Sequence, residues 1–183
     1  MTTSNGAAAV AHPRSARQAH AGEYLTFRLG AEEYGIGILH VQEIRSYEPP
    51  TRIAGAQPHV KGVVNLRGVI VPVVDLRLRL GCARAAIDGL TVVIVLNVGD
   101  SVVGAVVDAV SDVVELGAAQ IKPAPQLDAQ ADSDCITGIG CVGSGDAGRM
   151  LILMDIEGLI GEAKGVAAGG ARSAAREPEP IGL

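Results

Sequence analysis

Tryptophan is absent from the 183 residues, and aromatic side chains make up only 2% of them. All four, Tyr24, Phe27, Tyr34 and Tyr47, fall near the start of the chain, none beyond Tyr47. Stacking platforms for bases or sugars are therefore almost missing. Cysteine is scarce and odd in number: Cys82, Cys135 and Cys141 show no C-x-x-C spacing. That excludes a disulfide framework or a zinc site of the usual kind, and the three read as small apolar fillers. Long hydrophobic runs are missing too. Runs such as Val92 to Leu96 stop at five residues, against about 20 for a membrane-spanning helix. Positive charge is in deficit, with 15 Lys and Arg against 20 Asp and Glu, a net charge of −5. This weighs against nucleic acid as a partner. The first residues carry no basic region and their apolar stretch ends at Ala11, so no secretory signal is expected. The expectation is a cytoplasmic protein with no direct membrane insertion.

What remains is a Val-, Ile-, Leu- and Ala-rich chain. Hydrophobic residues make up 48% and charged residues 19%, which excludes a largely disordered chain. The length fits one domain, or two small ones sharing a core. With so few aromatics the core must be built from branched aliphatics, and these suit strands. Residues 1–22 and 164–183 are small-residue segments without amphipathic period and read as flexible tails. The folded part is expected over 23–163, as two β subdomains at roughly 23–87 and 88–163, with strands possibly exchanged. Charge is split along the same line. From Glu23 to Ile87 eight basic residues face six acidic ones, a net of +2; from Asp88 to Ala163 two face twelve, a net of −10.

Period and turn residues supply the elements. Tyr24–Leu29 reads as a strand. Gly30 to Glu33 forms a turn, and Tyr34, Ile36 and Ile38 alternate with glycine in a second strand. Val41 and Ile44 are three apart, which predicts one or two helical turns over Leu39–Ser46, ended by Pro49-Pro50. Val60 to Gly81 reads as strand, tight turn at Leu66-Arg67-Gly68, strand. Pro72 is then required to lie on an edge or at a bulge. Thr91 to Val110 repeats the theme with a turn at Gly99-Asp100. The shared rhythm of VVNLRGVIVPVVD and VLNVGDSVVGAVVD hints at two similar β units. A third strand, Met150–Met154, runs into Asp155, and a short helix closes the fold near Ile160. Strands this short, punctuated this often, indicate a sandwich or small barrels.

Few motifs point to catalysis. Gly138 to Gly143 matches G-x-G-x-x-G, but no helix pattern follows, so these glycines read as β corners rather than a nucleotide site. Asp75, Asp108 and Asp155 each follow an apolar strand. They can be drawn as a metal-binding acid cluster, but each position suits a turn-starting Asp better. No nucleophile motif is present and no metal site is assigned. Two features point to docking instead. Asn65-Leu66-Arg67-Gly68 places an Arg at a hairpin tip between apolar strands, and the Ile38 to Ile44 segment carries Val41, Glu43 and Ile44 close together. An apolar strip with a Glu and an Arg suits an amphipathic helix.

Four segments carry a family resemblance: EEYGIGILHVQEIR (32–45), TRIAGAQPHVKGVVNLRGVIVPVVDLR (51–77), TVVIVLNVGDSVVGAVVDAVSDV (91–113) and MLILMDIEGLI (150–160). Together they resemble CheW, the family of bacterial chemotaxis coupling proteins, over nearly all of residues 23–160. The resemblance implies a mainly β fold of two packed five-stranded SH3-like barrels with short helices. It implies a non-enzymatic adaptor without cofactor, which couples transmembrane chemoreceptors to the histidine kinase CheA and is recruited to membrane-associated receptor arrays. By resemblance, Val41, Glu43, Ile44, Asn65 and Arg67 form the receptor groove, with Gly62 keeping the nearby backbone close-packed. The CheA regulatory domain is expected on an apolar barrel end around Val102, Val103, Gly104 and Val106. Burying Val41 and Ile44 in a partner would contribute roughly 1.5–3 kcal/mol each, with Glu43 and Arg67 fixing orientation. Gly37 and a long Val142–Arg149 loop depart from the family's habit. An adaptor for another chemosensory pathway, or a small enzyme using the Gly-rich loop or the aspartates, remain the competing expectations.

Overall fold

The fold is described from a computed structural model over residues 18–82, 85–125, 135–143 and 148–160. Residues 1–17 of the tail expected over 1–22, the tail expected over 164–183 and half of the Val142–Arg149 loop lie outside these residues; within 18–22, Ala19 N donates to the Thr137 carbonyl and Gly22 opens the first strand.

Two sheets pack face to face. One has the strand order β8-β1-β2-β11-β10-β9, built from β1 (Gly22–Leu29), β2 (Glu32–Gly37), β8 (Ala109–Leu116), β9 (Ile121–Lys122), β10 (Ile136–Val142) and β11 (Arg149–Met154). The other has the order β3-β6-β7-β5-β4, from β3 (Val41–Ser46), β4 (Val60–Leu66), β5 (Val69–Asp75), β6 (Val92–Val98) and β7 (Ser101–Val107). Helices α1 (Leu76–Arg79) and α2 (Ile156–Ile160) are one turn each. The architecture is therefore mainly β with two packed sheets, as expected. The sheets hold six and five strands rather than five each. They also do not follow the chain halves 23–87 and 88–163. Both hairpins with the shared rhythm, β4–β5 and β6–β7, lie in the five-stranded sheet, where β5 and β7 run parallel.

The main core lies between the sheets. Leu25, Phe27, Leu29 and Ile36 from one sheet meet Val74, Ile94, Leu96, Val98, Val103, Ala105 and Val107 from the other, closed by Ile156, Leu159 and Ile160 of α2. Alternate residues of the same strands form two smaller clusters on the outer faces. Tyr24, Leu116, Leu151 and Leu153 make one, and Val73, Val93 and Val106 the other. Strands β6 and β7 and the second half of β5 thus bury both faces, which explains their nearly uninterrupted Val and Ile content.

The helical turns expected over Leu39–Ser46 are replaced by a 3-10 turn, Ile38–His40, followed by strand β3. The cause is a bulge at Gln42. Val41 pairs with Leu96 but Glu43 pairs with Val95, so Gln42 is an extra residue. Ile44 then pairs with Ile94. Leu96 and Ile94 are two apart and share a face, so Val41 and Ile44 also share one despite a spacing of three. A bulged strand thereby mimics the helical period.

Gly138 and Gly140 lie inside β10 rather than at corners, and a strand follows them. A Cβ at Gly138 would come within 2.9 Å of the Lys122 carbonyl, and one at Gly140 within 2.7 Å of Leu116. Close packing, not turning, requires glycine there. Pro72 sits opposite Val63, one residue before β5 begins to pair with β7 at Val73. Val63 spends both backbone groups on Thr51, so nothing asks Pro72 for a donor.

Candidate functional site

The site is organised by two departures from regular sheet and a tight turn. On β4, Val60 pairs with Val74 and Gly62 with Val73, so Lys61 is an extra residue. The bulge leaves Gly62 at φ +141, and a Cβ there would overlap the Thr51 carbonyl and crowd Arg52 N. Only glycine permits the Thr51–Val63 bridge, whose two hydrogen bonds measure 2.9 Å each. That bridge folds the 47–51 segment across one end of the gap between β3 and β4, the two edges of the five-stranded sheet.

At the other end stands the β4–β5 hairpin. Its two loop residues, Arg67 and Gly68, have φ of +52 and +87. Positive φ at both positions defines a type I′ turn, the turn that matches strand twist. Asn65 Oδ1 accepts from Gly68 N at 2.8 Å and fixes the turn. Arg67 is the one non-glycine residue with positive φ among the described residues. From this position it donates from Nη2 to Glu43 Oε2 at 3.0 Å. The ion pair spans the open gap. Arg67 is 71% exposed and Glu43 23%. Glu43 Oε1 is out of reach of solvent and has no hydrogen-bond donor. Its neighbouring cation, Arg45 Nη1, stands 3.9 Å away.

A single lateral row crosses the sheet behind this pair. Glu43 pairs with Val95, Val95 with Gly104, Gly104 with Val73, and Val73 with Gly62. Two of the five positions carry no side chain. A cavity of about 220 Å³ opens over the row, with Val71, Val73, Val93, Val95 and Gly104 among its lining and Arg45, Asn65 and Glu48 among its polar groups.

The structure thus brings together Glu43, Asn65, Arg67 and Gly62. It does not place Val41, Glu43 and Ile44 on one surface. Val41 faces the main core with Leu96, and Glu43 lies on the opposite face. Ile44 shares Val41's side but is 45% exposed at the strand edge. The kinase contact drawn on Val102, Val103, Gly104 and Val106 is not supported. They lie on β7, a central strand flanked by β6 and β5. Val103 packs in the main core, Val106 in the smaller cluster, and Gly104 floors the cavity; Val102 alone is partly exposed. A partner cannot touch Val103 or Val106 without opening the sheet, and it meets Gly104 only through the cavity.

The three aspartates do not gather. Asp155 caps α2, its Oδ1 accepting from Glu157 N at 3.1 Å. Asp75 and Asp108 instead share Arg77, a buried residue that the sequence reading passed over. Arg77 Nε and Nη2 reach the two oxygens of Asp75 at 2.9 and 2.8 Å. Nη1 reaches Asp108 Oδ1 at 2.9 Å and the Ala86 carbonyl at 2.5 Å. Hydrogen bonding to Asp75, more than to Asp108, pushes the Arg77 pKa still higher. The other Asp108 oxygen accepts from Gly30 N at 2.7 Å. The network ties the five-stranded sheet to the β1–β2 turn of the six-stranded one. The signal in the sequence is Asp-x-Arg directly after an apolar strand, Asp75-Leu76-Arg77, where Asp75 alone is expected to start a turn.

The fold and this surface define a two-sheet β protein with an ion pair across an open sheet edge. A CheW-like domain model matches residues 23–164. The chain is 54% identical over 138 residues to the chemotaxis protein CheW of Klebsiella aerogenes, covering 75% of this chain and 81% of that protein. It is 35% identical over 146 residues to a probable chemotaxis protein CheW of Rhizobium etli, covering 80% and 92%. The crystal structure of the scaffolding protein TtCheW from Thermoanaerobacter tengcongensis superposes with a TM-score of 0.67 at 27% identity, covering 76% of this chain and 92% of that one. The chain belongs to the CheW-like family of chemotaxis scaffold proteins.

Proposed function

We propose that this protein is a non-enzymatic adaptor that couples the cytoplasmic tips of transmembrane chemoreceptors to the histidine kinase CheA, and so controls kinase activity in receptor arrays. The observation that carries the reading is the ion pair between Glu43 and Arg67. It joins β3 to the β4–β5 hairpin at an open sheet edge, where the family resemblance locates the receptor groove. In this reading Glu43, Ile44 and Arg67 touch the receptor, Asn65 and Gly62 hold the hairpin and the bulge that aim them, and Val41 backs the strand from the core. The CheA regulatory domain binds a surface other than Val103, Gly104 and Val106. A contact of this modest size is weak alone and gains by repetition in an array. The protein acts in the cytoplasm, beside the membrane and not in it.

The test is reconstitution of CheA, receptor signalling fragments and this protein, read by CheA autophosphorylation. A large rise that depends on the protein is expected. Arg67→Glu should remove receptor binding while the fold and kinase binding persist. A folded protein that binds neither partner would overturn the adaptor reading in favour of another chemosensory pathway with its own receptors.

A further inference from the structure

Every strand of the five-stranded sheet lines the same cavity of about 220 Å³: Arg45 from β3, Val95 from β6, Gly104 from β7, Val73 from β5 and Asn65 from β4. The sheet therefore curls around a lumen. The two edges that flank it, β3 and β4, are joined by no ladder among the described residues. Val73 and Val93 continue from the lumen into the small cluster with Val106. The walls are valine and glycine, and no aromatic residue lines them. The space is large for such small side chains to leave. An apolar cavity of about 150 Å³ holds a benzene molecule, so this one has room for an aromatic ring. Arg45, 39% exposed, lines the cavity with its Nη1 3.9 Å from Glu43 Oε1, too far for a hydrogen bond. That contact does not fix the plane of the guanidinium, which can lie against the face of a ring.

Resting on the adaptor reading, we propose that this lumen is a socket for one aromatic side chain of the docked receptor tip, with the ring on the valines and Arg45 over its face. The socket adjoins the residues assigned to the receptor. Glu43 is the ladder partner of Val95, and Asn65 both lines the cavity and fixes the turn that carries Arg67. Neither Glu43 nor Arg67 lines the cavity, so their ion pair stays closed beside it. A saturated side chain of the same reach gives Arg45 no π face and is held less well.

The experiment uses the full chain, first with a small probe that does not depend on the receptor. Amide shifts are followed by NMR as benzyl alcohol is added, with cyclohexylmethanol as the saturated control. The expected result is saturable shifts at Val73, Val95 and Gly104, in the millimolar range for so small a ligand. The control, and benzyl alcohol on Arg45→Gln, should each bind about two- to fivefold more weakly, the share of a cation–π contact. Absence of saturable shifts at those amides, or shifts centred on Tyr24 and Thr137, which line a separate groove, overturns the socket. Equal binding of the control overturns the preference for a ring, and unchanged binding by Arg45→Gln overturns the role of Arg45. The second arm fills the lumen from within. Val71 is buried and lines it, so Val71→Phe supplies the ring covalently; Val71→Met is the smaller filler should the first fail to fold. A folded filler should ignore the probe and bind receptor fragments about 10- to 150-fold more weakly, the equivalent of one large apolar side chain left unburied, while CheA binding persists. Receptor binding at parental strength by a filler that excludes the probe overturns the receptor side chain as occupant. A protein that supports CheA activation but ignores the probe keeps the adaptor function and loses the socket, so the two failures are distinct.

Discussion

Replacing Arg67 by Asn separates what this residue does for the fold from what it does for a partner. In place, Arg67 occupies the first central position of a type I′ turn at φ +52, followed by Gly68 at φ +87. A left-handed conformation costs an ordinary residue about 1–2 kcal/mol, whereas Asn-Gly is the favoured pair for this turn. Against that stands the loss of the ion pair to Glu43. Arg67 is 71% exposed, so the pair is screened by water and is worth about 0.2–1 kcal/mol. The two effects oppose and the backbone term is the larger. Arg67→Asn should therefore leave stability unchanged or raise it by up to about 1 kcal/mol, a melting shift of about 2–4 °C at most for a chain of this size. Urea unfolding by circular dichroism reads the first quantity, and receptor-dependent CheA autophosphorylation the second. The expected result is a protein as stable as the parent that no longer couples. A variant destabilised by more than about 2 kcal/mol would refute the reasoning, since Arg67 would then be part of the scaffold. Normal coupling by a stable variant would refute its role in docking.

Three further outcomes are expected. Gly62→Ala places a methyl on the Thr51 carbonyl at φ +141, so stability should fall by more than about 2 kcal/mol, read by the urea midpoint; a loss below about 0.5 kcal/mol would show that the bulge is not fixed by Gly62. Arg77→Met strands Asp75, which is fully buried, and should destabilise by about 3–5 kcal/mol. Asp108→Asn should destabilise less, because Asp108 is partly exposed and Arg77 keeps Asp75; equal losses would contradict that ranking. Asp112 is held below its ordinary carboxylate pKa, first by the Thr26 hydroxyl at 2.6 Å and then by Arg149. Its lowered value makes its contribution present above the unfolded carboxylate pKa near 4 and lost as pH falls through the folded one. Carboxyl NMR should find Asp112 titrating low in the parent and nearer the ordinary value in Thr26→Val; identical titrations would sink the assignment.

Strands β5, β6 and β7 were legible because both faces of most of their length are buried, so β-branched runs such as Val92–Val95 had no competing explanation. The hairpin at Arg67 was legible because Leu66-Arg67-Gly68 interrupts such a run. The grouping of strands into sheets was not. The parallel pairing of β5 with β7 joins Val73 to Gly104, about 30 residues further along the chain, and nothing local encodes it. Exposure along β7 was misread for a related reason. SVVGAVVD looks the same whether its strand is an edge or a centre, and only the pairing with both β6 and β5 decides that Val103 and Val106 are core. Arg77 was missed because a buried guanidinium needs partners from several segments, here Asp75, Asp108 and Ala86. The spacing of Asp75 and Asp108 says nothing of their meeting.

The residues assigned to docking by resemblance share a physical trait: they sit where the five-stranded sheet departs from regularity. Gln42 bulges beside Glu43, Lys61 bulges beside Gly62, and Arg67 takes a conformation that favours glycine or asparagine. Each departure weakens the sheet locally, and a sequence under selection for stability alone would remove them. Their joint effect is geometric. The bulges turn Glu43 and Gly62 onto the row that Gly104 leaves open, and the turn sends Arg67 back over the gap. A regular pair of edges would instead present a flat ladder, open to pairing with any exposed strand. The irregular edge blocks that pairing with the bridge at Thr51 and the ion pair at Glu43, while keeping a cavity between them. An adaptor has to bind particular partners without aggregating, and irregularity at the two edges of this sheet meets both demands.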